Sequence, residues 1–142
     1  MTAKEFLNKG RKMSFELDEL IRARDKAFAK ACASAVNYDG ERVQTSPGNV
    51  AENKFINYAD CTAVIDRKTD ELYAYRTKML NLIGTIDNTV YRAILIARYI
   101  NCDTWERIAD RFKFKDVRNV YILHGKALRQ IPYKEFMSIA NE

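Results

Sequence analysis

The stretch that decides the fold runs from residue 103 to residue 131 and reads DTWERIADRFKFKDVRNVYILHGKALRQI. It contains two helical patterns, at 105–112 and from 117 to about 131, separated by a tight turn at 113–116. Asp116 is predicted to cap the second helix, and Pro132 cannot continue it. A small residue, Ala109, stands where the two helices must cross closely, as in a helix-turn-helix. The residues predicted to face inward are Trp105, Ile108, Ala109 and Phe112, then Val120, Leu123, Ala127 and Leu128.

Another helix is predicted directly before this stretch, with Asp87 as its N-cap and with either Asp103 or Thr104 capping the short helix that follows. Gly84 is predicted to end the preceding long helix. A further short helix carrying Phe136 is predicted after the proline. The apolar face of the helix before the stretch consists of Val90, Ala93, Ile94, Ala97 and Ile100.

Two longer stripes precede these helices and recur with alternating steps of three and four residues, which is typical of long helices with a narrow seam. Thr2 and Glu5 are predicted to form a capping box at the start of the first helix. The first stripe consists of Phe6, Gly10, Met13, Leu17, Leu20, Ala27 and Ala31. The second consists of Phe55, Tyr58, Thr62, Ile65, Thr69, Leu72, Arg76, Met79, Ile83 and Ile86.

A helix of this length cannot bury its apolar stripe on itself, so the two helices are predicted to fold back on each other. The segment at about 38–49 is rich in turn-forming residues and is predicted to connect them. The sequence therefore predicts an all-α protein in which a long antiparallel helical hairpin, residues 1–87, is followed by a small helix-turn-helix bundle, residues 88–142.

Positive charge is concentrated in the C-terminal part of the chain. Residues 1–87 carry 14 Lys and Arg against 13 Asp and Glu, whereas residues 88–142 carry 10 against 6. The excess of basic residues therefore lies in the segment that has the helix-turn-helix pattern. Such an excess is expected of a surface that binds a polyanion.

The sequence gives no sign of an enzyme. It has no phosphate-binding loop, no carboxylate pair and no triad, and its single histidine, His124, cannot complete a metal site with the widely spaced cysteines. No catalytic residue, metal or cofactor is therefore predicted. Cys32, Cys61 and Cys102 are interpreted as buried thiols. No apolar run could span a membrane or serve as a signal peptide, which favours a cytoplasmic protein.

The amino-acid sequence of the C-terminal part resembles the promoter-reading (region 4) domain of bacterial sigma factors. It resembles more closely the phage-encoded late-gene regulators of the ArpU and RinA kind. The turn at 113–116 departs from that family, which has a glycine, a hydrophobic residue and a serine. The resemblance implies sequence-specific DNA binding in transcriptional control, with neither catalysis nor cofactor. It rests on YRAIL at 91–95, RYI at 98–100, TWERIA at 104–109 and LHGKAL at 123–128, and more loosely on TAKEFL at 2–7 and DGERVQTS at 39–46.

By position in the family's motif, the base-edge candidates are Val117, Arg118, Tyr121 and Ile122. Arginine suits bidentate binding to guanine, and Val117 or Ile122 could touch a thymine methyl. Ordinary packing of those two aliphatic side chains is an equal alternative. The candidates for phosphate contacts are Lys113, Lys115, Lys126 and Arg129. Tyr99 and Trp105 are assigned to the core, and close helix packing is assigned to His124 and Gly125.

Two functions from different classes stay open at this point. One is a transcriptional regulator, phage- or prophage-encoded and acting on late genes, which binds double-stranded DNA. The other is an adaptor that contacts RNA polymerase and has little affinity for DNA. A homodimer is a further expectation, since helix-turn-helix domains commonly bind two half-sites.

Overall fold

A computed structural model of the protein describes the backbone of residues 1–36 and 48–142, and the side chains of these residues except 34–36, 48–52, 54 and 55. All regular structure in these ranges is helical, which confirms the predicted all-α class. Most of the predicted loop at 38–49 lies outside the described residues. The helices are α1 (Ala3–Val36), α2 (Gly48–Gly84), α3 (Thr89–Leu95), α4 (Trp105–Arg111), α5 (Val117–Arg129) and α6 (Tyr133–Asn141), with a π-helical turn, Ile96–Ile100, continuing α3.

None of the helices in the described ranges combines the length and the apolar composition needed to cross a membrane. Helix α1 begins with the predicted capping box. The Thr2 backbone N–H donates to Glu5 Oε2 at 2.7 Å, and the Glu5 N–H donates to Thr2 Oγ1 at 3.2 Å. Hydrogen bonds that the carboxylate receives from Thr2, foremost from its backbone N–H, lower the pKa of the Glu5 carboxyl, because they favour its charged form.

The chain divides into two compact units, of which the first consists of Met1–Ser14 and Leu72–Glu142. The boundary predicted after residue 87 falls inside this unit. The reason is a shared core, here called the first cluster, to which side chains from both sides of residue 87 contribute. Its buried members are Phe6, Leu7, Met79, Leu82, Ile83, Ile86, Leu95, Tyr99, Ala127 and Phe136.

Within the first unit α1 and α2 pack antiparallel. Gly10 lies against Met79, and one turn later Ser14 Oγ accepts a hydrogen bond of 3.1 Å from Arg76 Nη2. The close approach at Gly10 needs the missing side chain, since a Cβ there would overlap the buried thioether of Met79. Helix α6, which carries the predicted Phe136, adds that ring edge-on to Phe6 at 6.0 Å.

The second unit, Phe15–Glu71, also pairs the two long helices antiparallel. Lys68 Nζ lies 3.1 Å from Glu16 Oε1, and farther along the pair the ring centroids of Phe28 and Tyr58 are 5.0 Å apart. Among the described side chains of this unit, the buried apolar residues all come from the predicted stripes and are Leu17, Ala31 and Ile65. The stripe residue Ala27 is exposed.

The helix before the helix-turn-helix differs from its prediction at both ends. Its N-cap is Asn88, whose Oδ1 accepts from Val90 and Tyr91, and not Asp87. At the other end the Asn101 N–H donates to the Ile96 carbonyl, five residues back, at 3.0 Å. This π-type turn inserts one residue and rotates the following side chains by about 100°. Tyr99 is consequently buried, and the predicted Ile100 is only half-buried.

The cysteines do not occupy the core positions expected of them. Cys32 and Cys61 are exposed, and Cys102 is half-buried. Cys32 and Cys61 lie directly beside stripe residues and therefore point away from the seam. Cys102 has a φ of 58° and ends the π-helical turn, where the Asp103 N–H reaches back to the carbonyl of Ala97 at 2.9 Å.

Candidate nucleic-acid interface

Helices α4 and α5 rest on a compact apolar base, here called the second cluster. Ala109 is 4% exposed at the crossing of these helices, as predicted from its small size. Trp105, Phe112, Phe114, Val117 and Leu123 pack around the second cluster and are partly buried. Its buried members are Ile94, Ala97, Ile108, Ala109 and Val120, contributed by α3 with its π-helical turn, by α4 and by α5.

The two helices of the motif begin at side-chain caps. Thr104 Oγ1, and not a side-chain oxygen of Asp103, accepts from the Arg107 N–H at 3.3 Å and caps α4. Asp116 Oδ1 accepts from the Arg118 N–H at 2.9 Å, which confirms the predicted cap of α5. These caps fix where each helix starts, because they satisfy N–H groups that the helix itself leaves unpaired.

The turn between the two helices is closed without a glycine. The Lys113 N–H donates to the Asp110 carbonyl at 3.2 Å, and the Phe114 N–H donates to the Ala109 carbonyl at 2.9 Å. This pair of bonds defines a Schellman motif with Lys113 in the left-handed position, at a φ of 57°. Lys113 therefore takes the conformation for which a glycine is normally selected.

Replacing Lys113 by glycine should raise the free energy of unfolding by about 1 kcal/mol, because a residue with a Cβ is strained in the left-handed region. Lys113→Ala is the matched control, since it removes the same charge and keeps the strain. Urea titrations of both variants measure the difference. Equal stability of the glycine and alanine variants would contradict the assignment of strain to this turn.

The base-edge candidates do not all lie on the exposed face. The Arg118 side chain is 84% exposed, and Tyr121 and Ile122 are 47% and 55% exposed. Arg118 Nε lies 3.1 Å from Asp116 Oδ2, an exposed ion pair that opens at little cost. Val117 is half-buried and packs against the second cluster, so its side chain contributes to the core.

The four phosphate candidates are all exposed: Lys113, Lys115, Lys126 and Arg129. The first two lie in the turn between α4 and α5, and the other two lie in the last turn of α5. No acidic residue occurs between 117 and 131. The exposed side of α5 therefore carries Arg118, Lys126 and Arg129 without a carboxylate of its own helix among them.

A group of aromatic side chains connects α5 to α4 and to the π-helical turn. The Arg98 guanidinium lies 3.9 Å from the centre of the Trp105 ring. That ring is edge-on to Tyr121 at 5.1 Å and to His124 at 4.8 Å. Trp105 is half-buried and Tyr99 is 2% exposed, so both support α5 from within. The pattern of apolar residues could not predict the cation over the indole, because Arg98 lies outside that pattern.

His124 is buried in this group, at 7% exposure, and its Nε2 lies 2.8 Å from the Tyr99 hydroxyl. The tautomer of the neutral imidazole sets which of the two groups donates. Burial, and then the positive charges of Lys4 and Arg98, lower the pKa of His124 to about 4. Burial likewise raises the pKa of Tyr99 to about 12. Both groups are uncharged at neutral pH, and they form a polar link inside the core.

Gly125 does not provide the close helix packing expected of it. A Cβ at this position would meet, among the described residues, only the far end of the Arg129 side chain, at 3.8 Å. A glycine inside a helix lowers stability by about 0.5–1 kcal/mol relative to alanine. The packing of the first unit gives no compensation for that loss.

Comparisons with family models, with curated proteins and with solved structures found no match to this chain. Within the described residues no three His, Cys, Asp or Glu side chains are grouped so as to hold a metal ion. The features of this chain that indicate a function are the arrangement of α4, the turn and α5.

Proposed function

We propose that the protein binds double-stranded DNA sequence-specifically, with α5 lying in the major groove. The observation that supports this most directly is the division of α5 into two faces. Val120, His124 and Ala127 are buried on one side, and Arg118 and Ile122 are exposed on the other. One face of α5 is held by the core, its first turn carries an arginine, and the helix contains no acidic residue. These are the properties expected of a recognition helix.

The basic residues around α5 suit two kinds of contact. Arg118 follows the cap of α5 closely and is positioned to reach a base edge, since the first turns of a recognition helix enter the groove most deeply. Lys126 and Arg129 lie two to three turns later, where the helix leaves the groove and passes a phosphate strand. The resemblance to sigma-factor and phage late-gene regulators extends this proposal to transcriptional control, with RNA polymerase as a second partner.

Selection of duplexes from a randomised library tests the proposal without assuming a particular target sequence. A recovered consensus, bound more tightly than scrambled DNA in fluorescence anisotropy, is the expected result. Affinity for any duplex should fall steeply between about 50 and 200 mM salt, since phosphate contacts release counterions. Absence of a consensus together with salt-independent, negligible DNA affinity would refute the proposal.

Arg118→Ala should weaken binding to the selected duplex by about 1–3 kcal/mol and relax preference at one base pair. Lys126→Ala is the matched comparison. It should weaken selected and scrambled DNA alike and reduce the slope of log K against log salt by about one, because a phosphate is the same at every position. Both side chains are exposed, so circular dichroism should show unchanged folding. Equal, sequence-independent losses for the two variants would contradict the base-edge role of Arg118.

A second candidate function is favoured by one observation. Tyr121 and Ile122 place an apolar pair on the exposed face of α5, at 47% and 55% exposure. Such a pair also suits a protein surface, as in an adaptor that contacts RNA polymerase. Anisotropy separates the two functions: the adaptor would bind scrambled and selected duplexes equally and weakly, and Ile122→Ala would leave even that binding unchanged.

A further inference from the structure

Positive charge follows the compact units of the fold and not the boundary expected at residue 87. The first unit, Met1–Ser14 with Leu72–Glu142, carries 16 Lys and Arg against 8 Asp and Glu, whereas the second unit carries 8 against 11. Residues 1–14 contribute four of these cations and a single carboxylate, that of Glu5. The helix-turn-helix therefore shares its basic excess with a helical segment that is remote from it in sequence.

The start of α1 lies against the buried side of α5 and brings a lysine to its flank. Leu7 of α1 and Ala127 of α5 are both fully buried in the first cluster. Burial, and then the charge of Lys4, lower the pKa of His124 in α5. Lys4 is itself exposed. It therefore lies at the surface on the side of α1 that is turned toward α5.

Two more cations extend this positive region. Arg11 lies on the same side of α1 as Lys4, because seven residues make nearly two turns of a helix. Burial, and then the charge of Arg11, lower the pKa of the Arg98 guanidinium. Among the described residues, none of the charges that shift the pKa of Arg98 or His124 belongs to a carboxylate. Lys4, Arg11 and Arg98 are here called the lateral cations.

The carboxylate of Asp103 does not neutralise the lateral cations. Arg98 Nη1 donates to the backbone carbonyl of Asp103 at 3.0 Å, while the carboxylate of that residue pairs with Arg111 at 2.9 Å. Lys4 stands in the first turn of α1, where the helix dipole disfavours a positive charge. Like charges gathered in this way repel one another, and an anion that binds beside them relieves the repulsion. The lateral cations therefore suit an anion from outside the chain.

We propose that the start of α1 is a second DNA-binding element, in which Lys4 binds a backbone phosphate of the duplex whose major groove receives α5. Arg11 and Arg98 add to the positive potential at that phosphate. This inference rests on the proposed function. The phosphate strand concerned is the one that borders the groove on the side of Tyr121, since the Trp105 ring lies between Tyr121, at 5.1 Å, and the Arg98 guanidinium, at 3.9 Å. Such a contact adds affinity and fixes register but reads no base.

Lys4→Ala and Lys9→Ala form the matched pair for the test, since each removes one positive charge from an exposed position of α1. Lys9 lies on the opposite flank of the helix, 5.4 Å from the centre of the Tyr75 ring. In fluorescence anisotropy at about 100 mM salt, Lys4→Ala should bind selected and scrambled duplexes alike about five- to ten-fold more weakly than the wild type. Its slope of log K against log salt should be smaller by about one. Lys9→Ala should stay within about two-fold of the wild type and keep its slope, as should Lys4→Arg, which retains the charge.

Ethylation interference on the selected duplex locates the contact. With the wild type, ethylation of a phosphate bound by Lys4 should weaken binding. That phosphate should become insensitive in Lys4→Ala and remain sensitive in Lys9→Ala. Circular dichroism and the Tm should stay at their wild-type values in all three variants, because both lysines are exposed.

The possible failures are distinguishable. If Lys4→Ala keeps the wild-type slope and the wild-type pattern of sensitive phosphates, the role of α1 is overturned while DNA binding through α5 stands. If Lys9→Ala loses as much affinity as Lys4→Ala, net charge and not the position of Lys4 sets the affinity, and the role of α1 is likewise overturned. If selection yields no consensus and the wild type shows negligible, salt-independent DNA affinity, the proposed function fails, and the role of α1 fails with it.

Discussion

Replacing Ile108 by alanine is expected to lower the free energy of unfolding by about 2–5 kcal/mol. Ile108 is 0% exposed and lies in the second cluster, on which α4 and α5 both rest. The substitution removes buried methyl groups and leaves a cavity that the capped helices around it cannot easily close. Because the lost contacts hold α5 in place, affinity for the selected duplex should fall although Ile108 touches no DNA.

Ile122→Ala is the matched control, since it removes the same atoms from a side chain that is 55% exposed. Its stability should stay within about 0.5 kcal/mol of the wild type. Urea unfolding followed by circular dichroism measures both variants. Hydrogen exchange adds a local readout, in which Ile108→Ala should reduce protection most strongly in α4 and α5. Equal stability of the two variants would contradict the second cluster as the support of the motif.

The regular helices could be predicted from the sequence because their signals are local. The stripe residues Leu72, Met79 and Ile83 are buried, as the steps of three and four indicated. The caps of α1 and α5 form at the predicted residues, since a side-chain oxygen two or three positions before an unpaired N–H needs little from the rest of the fold.

Other features depend on contacts between distant segments, which periodicity does not contain. Tyr99 is buried as predicted, but the π-helical turn leaves Ile100 only half-buried, and no local pattern marks the inserted residue. The domain boundary expected after residue 87 lies within one compact unit, because Leu7 and Ile86 share a hydrophobic core with Ala127. The turn before α5 closes without a glycine, with Lys113 in the left-handed conformation, because the bonds that close the turn involve only backbone groups.

The candidate interface was predictable in outline and not in detail. Exposure of Arg118, Tyr121 and Ile122 follows from the helical phase of α5. The helical phase of α5 is compatible with either an exposed or a packed Val117. In the structure Val117 packs against the second cluster. The expectation of close packing at Gly125 is wrong for a similar reason: whether a small residue meets another helix depends on where that helix lies.

Acid is expected to destabilise the protein through His124 before the carboxylates titrate. Burial and the charges of Lys4 and Arg98 lower the pKa of His124 from its ordinary value of 6.5 to about 4 in the folded protein. Between these values the unfolded chain binds a proton that the folded protein does not, so stability falls as the pH falls. The loss should begin near pH 6.5, reach about 3 kcal/mol by pH 4 and add nothing further below that.

The measurement is the free energy of unfolding by urea at intervals from pH 7.5 to about pH 4.5, a window that lies above the ordinary pKa of carboxyl groups. His124→Gln is the control, since its amide can pair with the Tyr99 hydroxyl and does not titrate. This variant should be less stable than the wild type at pH 7.5 and should keep nearly constant stability through the window. Tyr99→Phe should retain a pH-dependent slope, because the imidazole stays buried near the same positive charges.

If wild type and His124→Gln lose stability in parallel, His124 is not the group that titrates. The buried link between Tyr99 and His124 would then have no part in the acid sensitivity of the helix-turn-helix.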